Sequence, residues 1–185
     1  MQTTSVLAFA TLMALSSSVA LGQPSESARA PIGRVVDLWV TKTEQLVVPA
    51  ADALPEPSYD FTPSAGEFKG VRSFADQVKH LAAANYQLAA RVLGDAPPAG
   101  TRNETAPASV KTKAQVMDYL RESFEWLHRA AARITLQNVE DPIVVGKETQ
   151  NGVGLVIDAL AHSQNHYGQM VEYLRMNHIV PPASR

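Results

Sequence analysis

The chain has 185 residues, 45% of them apolar, a formal charge of -2 and no cysteine. This length and apolar content fit one globular domain with a hydrophobic core and exclude a disordered chain. The charge is balanced and no basic stripe is present, so nucleic acid binding has no electrostatic support. The lack of thiols excludes disulfides, cysteine nucleophiles and cysteine-ligated zinc, leaving nitrogen and oxygen as the ligands for any metal.

At the N-terminus no Asp, Glu, Lys or Arg precedes Glu26. Val6 to Leu15 form an apolar core, three serines follow, and Ala20-Leu21-Gly22 places small residues where signal peptidase reads. This pattern reads as a secretory signal over residues 1–22, cleaved after Gly22 or after Ala20, and predicts an exported protein, periplasmic or secreted. Residues 23–31 are small and polar and read as a flexible leader before a domain spanning 32–185.

Four helices are predicted in that domain. The first runs from Ile32 to Leu54, with Val36, Trp39, Val40, Thr43 and Val47 recurring at helical spacing; Pro49 predicts a kink or break in its last turn. An irregular connection rich in proline follows. The second helix has Ser73 as N-cap and Gly94 as C-cap, and its apolar stripe is Phe74, Val78, Leu81, Leu88 and Val92, with Asn85 inside it. Asn85 reads either as a hydrogen-bonding residue across the core or as a buried polar group that sets register. Residues 94–109 form a long polar crossover. The third helix spans Val110 to Leu136, with Val116, Leu120, Phe124, Leu127, Ala131 and Ile134 on one face. Residues 138–152 read as another loop, with Ile143 to Val145 a short apolar run. The fourth helix spans Val153 to Met176 on a stripe of Val156, Leu160, Tyr167, Met170, Val171 and Leu174. The fold class is therefore all-α, a four-helix bundle whose long crossover between helices two and three lets those two run parallel.

The most informative segment for chemistry is His162 to His166 on the fourth helix. A four-residue separation puts both imidazoles on one face, one turn apart, the spacing by which two helical histidines bind one divalent ion. The pair lies at the border of the apolar stripe, beside Leu155 and Tyr173, where a bundle seam would open to solvent. A third ligand has to come from another helix. His80 is the foremost candidate, with Ala83 and Ala84 after it leaving space. His128 is a second, and His178, beyond the last helix, would need a chain reversal. Taken one at a time, His80 and His128 also read as ordinary structural or surface residues.

The segments Tyr59-Asp-Phe-Thr-Pro63, Val71-Arg-Ser-Phe74 and Val78-Lys-His80, together with His162 to Pro182, resemble DinB/YfiT-like proteins. That family carries a His-x-x-x-His-x-Gly-Gln pattern, a Tyr-Leu-Arg run and a closing Pro-Pro, matched here by His162, His166, Gly168, Gln169, Tyr173 to Arg175, Pro181 and Pro182. The resemblance implies a DinB-like bundle in which His80, His162 and His166 hold one divalent metal, zinc or nickel, with an open coordination position. It also implies that Gly168 admits a neighbouring helix, that Gln169 supports a ligand, and that Tyr173 and Arg175 tie the last turn to the loop after the first helix. One departure is His178, where glycine or another small residue is expected.

Members of such a family handle low-molecular-weight thiols as metal-dependent isomerases and S-transferases. Together with the N-terminal signal, the resemblance implies an exported metal-dependent thiol transferase or hydrolase acting on a small molecule, with a homodimer as a possible assembly. The alternative is a bundle that binds a metal or small ligand without turnover. A general base beside the three histidines, other than metal-bound water, is not legible in the sequence.

Overall fold

The computed structural model describes residues 31–64, 66 and 69–185. The expected signal segment and residues 23–30 of the leader lie outside the described residues. Four helices carry the fold: α1 (Ile32–Ala53), α2 (Phe74–Leu93), α3 (Lys113–Arg133) and α4 (Gly152–Met176). A small antiparallel hairpin, β1 (Ile143–Val145) and β2 (Glu148–Gln150), precedes α4.

The ends of the helices follow local chemistry. Ser73 accepts a hydrogen bond from the backbone of Asp76 and caps α2, which stops at Gly94 in the left-handed conformation with φ 73°. The third helix begins two residues after Lys111, later than the expected Val110, because Thr112 and Gln115 form a reciprocal capping box. It ends at Arg133, ahead of the expected Leu136, which is 71% exposed. Pro49 does not break α1: the helix continues to Ala53. Ala50, Ala51 and Leu54 are all fully buried beyond it, and that burial offsets the one backbone hydrogen bond proline cannot donate.

Burial corrects two of the expected stripes. On α1 the buried line is Gly33, Val40, Thr43, Val47, Ala50 and Ala51, whereas Trp39 is 56% exposed and lies off that line. On α4 the centre of the buried face is Leu155, Val156, Ala159, Ser163, His166 and Met170; Leu160, Tyr167 and Val171 flank it half-buried. Small and polar residues hold that centre, so hydropathy alone rotates the stripe. The second helix is covered on most sides: of its expected stripe Phe74, Val78 and Leu81 are buried and Leu88 and Val92 half-buried, and Ala82, Ala83, Ala84, Tyr86, Ala89 and Ala90 are buried in addition.

Side-chain pairs fix the helix directions. Asp37 meets His128 and Asp52 meets Lys113, so α1 and α3 are antiparallel. Tyr86 bonds Glu122, and Asp95, just past α2, pairs with Arg129, so α2 and α3 advance together, as the long crossover allows. Gln77 meets Gln169 and Asn85 meets Ser163, so α2 and α4 are antiparallel. The main seams therefore join α1 to α3, α3 to α2, α2 to α4 and α4 to α1. A parallel pair needs the chain to return the full length of a helix, about 30 Å for twenty residues. The polar crossover provides that return and is pinned to α3 where Thr101 and Tyr119 share a 2.7 Å hydrogen bond.

Gly33 permits a close approach of α1 to the end of α3. A Cβ there would stand 2.6 Å from the carbonyl oxygens of both Ala131 and Ile134. The hairpin occupies part of the expected loop 138–152; Ile143 pairs with Gln150 and Val145 with Glu148 around Gly146, whose φ is 62°. Val144 is 70% exposed, so the hairpin adds little to the core. No helix of the described residues is long and apolar enough to cross a membrane.

Candidate metal centre

The seam between α2 and α4 holds the candidate site. His80 projects from α2, His162 and His166 from α4, and the donor atoms of all three lie within 4.8 Å of one another. The Nε2 of His162 stands 3.2 Å from that of His80 and 3.1 Å from that of His166. The rings meet edge to face, their centroids 4.5 to 5.0 Å apart. His80 and His166 are buried and His162 half-buried. On α4, His166 thus lies within the buried face, while His162 stands at its border as expected.

The protonation pattern follows from the partners. The Nδ1 of His80 lies 3.0 Å from the backbone carbonyl of Glu104, which can only accept, so Nδ1 carries a proton, and in the neutral ring Nε2 presents its lone pair. Burial, and then the neighbouring His80, lowers the pKa of His162. Burial pushes His166 down to about 4, with His162 and His80 adding to the effect. Both are therefore neutral at neutral pH. A neutral imidazole nitrogen carries a proton or a lone pair, not both. With the lone pair of His80 aimed at the cluster, neutral rings cannot make both contacts ordinary hydrogen bonds: a His162 that accepts from His166 faces the lone pair of His80, and one that donates has a single N–H for two neighbours. One divalent cation would satisfy all three nitrogens together, so this donor set fits a metal.

Behind the rings, Asn85 is fully buried and links three helices. It donates to Ser123 on α3 at 3.3 Å and accepts from Ser163 on α4 at 3.2 Å. Of its two alternative readings, the structure therefore shows a hydrogen-bonding residue across the core.

The family match comes from residues 40–170, which fit the sequence profile described as the DinB superfamily. The chain belongs to the DinB superfamily. No curated protein matches it. The matched span includes His80, His162 and His166, so this chain presents the DinB resemblance together with a histidine triad that could hold a metal ion.

The other two histidines stand elsewhere. His128 sits on the α1–α3 seam between Asp37 and Glu44, the latter at 3.2 Å. Burial alone would lower its pKa, but the hydrogen bonds and charges of the two carboxylates prevail and raise it. His178 follows α4 with φ 59°; its N–H bonds the carbonyl of Arg175 and the N–H of Ile179 that of Leu174. That is a Schellman turn with histidine at the left-handed position. It explains why a glycine is expected there.

Of the supporting roles expected from the resemblance, that of Tyr173 holds and those of Gly168, Gln169 and Arg175 come out differently. Gly168 is exposed and a Cβ there would meet nothing, so it admits no neighbouring helix. Gln169 bonds Gln77 and Asn165 and leaves the ligands alone. Tyr173 does tie α4 to the loop before α2, donating to the carbonyl of Arg72 at 3.0 Å, while among the described residues Arg175 pairs only with Glu172 on its own helix.

Sequence reasoning missed Glu104. The crossover brings it over the site, where its carbonyl holds the Nδ1 of His80 and its carboxylate stands 3.5 Å from the Nε2 of the same ring. The one signal was Asn103, a residue favoured in tight turns, in the middle of a loop otherwise unremarkable in composition.

Proposed function

We propose that this protein is a metal-dependent enzyme of thiol-transferase or hydrolase type, acting on a small molecule through one divalent ion held by His80, His162 and His166. The observation that carries this reading is the convergence of three Nε2 atoms at 3.1 and 3.2 Å on one seam. An all-imidazole set suits zinc or nickel. When bound, such an ion supplies Lewis acidity, lowering the pKa of a coordinated thiol or water so that a nucleophile exists at neutral pH. The residues of the chain do the rest. Glu104 fixes the tautomer of His80, the Asn85 network fixes the height of α4 against α2, and burial keeps His162 and His166 neutral.

A cleft of about 520 Å³ opens on His80 and is lined by Arg72, Lys79, Glu104 and Lys111 among others. Its size suits a small molecule and gives the reacting group a path to the triad. A larger cleft of about 750 Å³ lies toward the other end of the bundle, between the start of α1 and the end of α3. Its lining of Ile32, Gly33, Ile134 and Leu136 offers no comparable donor set, so the smaller cleft is the relevant one.

The N-terminal pattern supports export, and an exported protein meets few cytosolic thiol cofactors. This widens the substrate search to hydrolysable esters. The test is to assay metal-loaded protein with small thiols plus an electrophile, and with esters, beside a His162→Ala variant. Turnover in the first and none in the second supports the enzyme; equal rates in both, or none with any substrate, leave a binding bundle. A homodimer is part of the same proposal and is read by light scattering.

A further inference from the structure

We propose that Glu104 is a fourth, displaceable ligand of the same metal, supplied by the crossover loop and not by a helix. This rests on the three-histidine reading above. Arg102 and Thr105 exchange both backbone hydrogen bonds, at 3.2 and 2.8 Å, so Asn103 and Glu104 form the tip of a two-residue turn. Both have positive φ, 48° and 54°. Two positive φ values at the tip are the mark of a type I′ turn, for which Asn-Gly is the favoured pair. Asparagine is in place, but glutamate occupies the position where glycine is preferred. A side chain kept at a strained backbone position points to a use for that side chain.

What the side chain does there is visible. Its carboxylate lies 3.5 Å from the Nε2 of His80, the nitrogen whose lone pair faces the site. In a tetrahedral centre with bonds of about 2.0–2.1 Å, adjacent donor atoms stand about 3.3–3.4 Å apart. The histidine separations of 3.2 and 3.1 Å and the glutamate separation of 3.5 Å all fall near that value. The cluster whose donors are all within 4.8 Å of one another contains only the histidines, so the carboxylate stands at its border. The side chain of Glu104 is half-exposed, and among the described residues its carboxylate has no partner other than His80. It is free to complete the set.

The consequence for chemistry is direct. Three neutral imidazoles leave a divalent charge uncompensated, and one carboxylate halves it. A ligand on a two-residue turn can leave without disturbing a helix. A substrate thiol entering through the cleft would compete with the Glu104 carboxylate for that position, while the three histidines would hold the ion.

The test uses the full chain loaded with cobalt(II), whose visible absorption reports coordination, and compares it with Glu104→Gln and Glu104→Gly. All variants keep the backbone carbonyl that holds His80. Expected are affinities weaker by about tenfold or more in competition with a chelator, and an altered visible band in both variants. Glu104→Gly, freed of turn strain, should also melt at a higher temperature than the parent when both are metal-free. A merely structural Glu104 would give lower melting temperatures with unchanged binding. Affinities within twofold of the parent and unchanged spectra overturn the proposal and leave the three-histidine site standing. No cobalt bound by the parent overturns both.

Discussion

Ser163 on α4 donates to Asn85 on α2 at 3.2 Å, from the position next to His162. The bond that ties the two helices together therefore also sets the height at which their histidines meet. Asn85 is fully buried and hydrogen-bonded to both α3 and α4, so removing it strands the hydroxyl of Ser163 and withdraws one of the two partners of Ser123, which keeps its bond to the carbonyl of Leu120. Asn85→Ala is expected to destabilise the fold by about 1–3 kcal/mol in denaturant titration. A loss under half of that would mean the network is not a structural tie.

The Schellman turn at His178 predicts a gain. A left-handed backbone costs a non-glycine residue about 1–2 kcal/mol, and glycine gives back part of that through its greater freedom when unfolded. His178→Gly should therefore stabilise the protein by about 0.5–1 kcal/mol. Its metal content should stay the same, since His178 lies beyond α4 and outside the triad. Lower thermal stability would show that the imidazole makes a contact that matters.

The close approach at Gly33 predicts a loss. A methyl group would stand 2.6 Å from two backbone oxygens, and neither can move without shifting the end of α3. Gly33→Ala should cost about 1–3 kcal/mol, the range of an overpacked site. An unchanged unfolding midpoint would mean that α1 slides along α3 freely.

The buried histidines predict a pH dependence of opposite sign to that of His128. His162 and His166 have lowered pKa values in the fold, His166 about 4. The unfolded chain binds their protons first, so metal-free protein should lose stability as pH falls from about 6.5 toward 4. His128 is raised, so its contribution is complete below about 6.5 and fades as pH climbs through its folded value. Thermal melts should show that His166→Asn flattens the acid loss, and that His128→Gln costs more at pH 5.5 than at pH 8.5. The reverse order for either variant would contradict the assigned environments.

Much of this was legible in the sequence, for identifiable reasons. Helix periodicity and the caps at Ser73 and Gly94 mark α2 to within a residue, and the face of α3 is apolar enough to read directly. The four-residue spacing of His162 and His166 already places two rings on one side of α4. Periodicity fails where the buried face is small or polar: beside Ala159, Ser163 and His166 occupy the centre of α4 because of the network and the site. Trp39 misled in the opposite way, being large, apolar and exposed. Glu104 was out of reach because its role comes from a turn conformation and from contact with a residue 24 positions away, neither of which has a periodic signature.

The central claim, that His80, His162 and His166 share one metal, is tested most directly by metal content. Purified protein and a His162→Ala variant would be incubated with zinc or nickel at neutral pH, desalted and measured by mass spectrometry. About one metal per chain in the parent, lost in the variant, is the result predicted here for a single three-imidazole site. A parent that retains none, or a variant that retains as much, would contradict it.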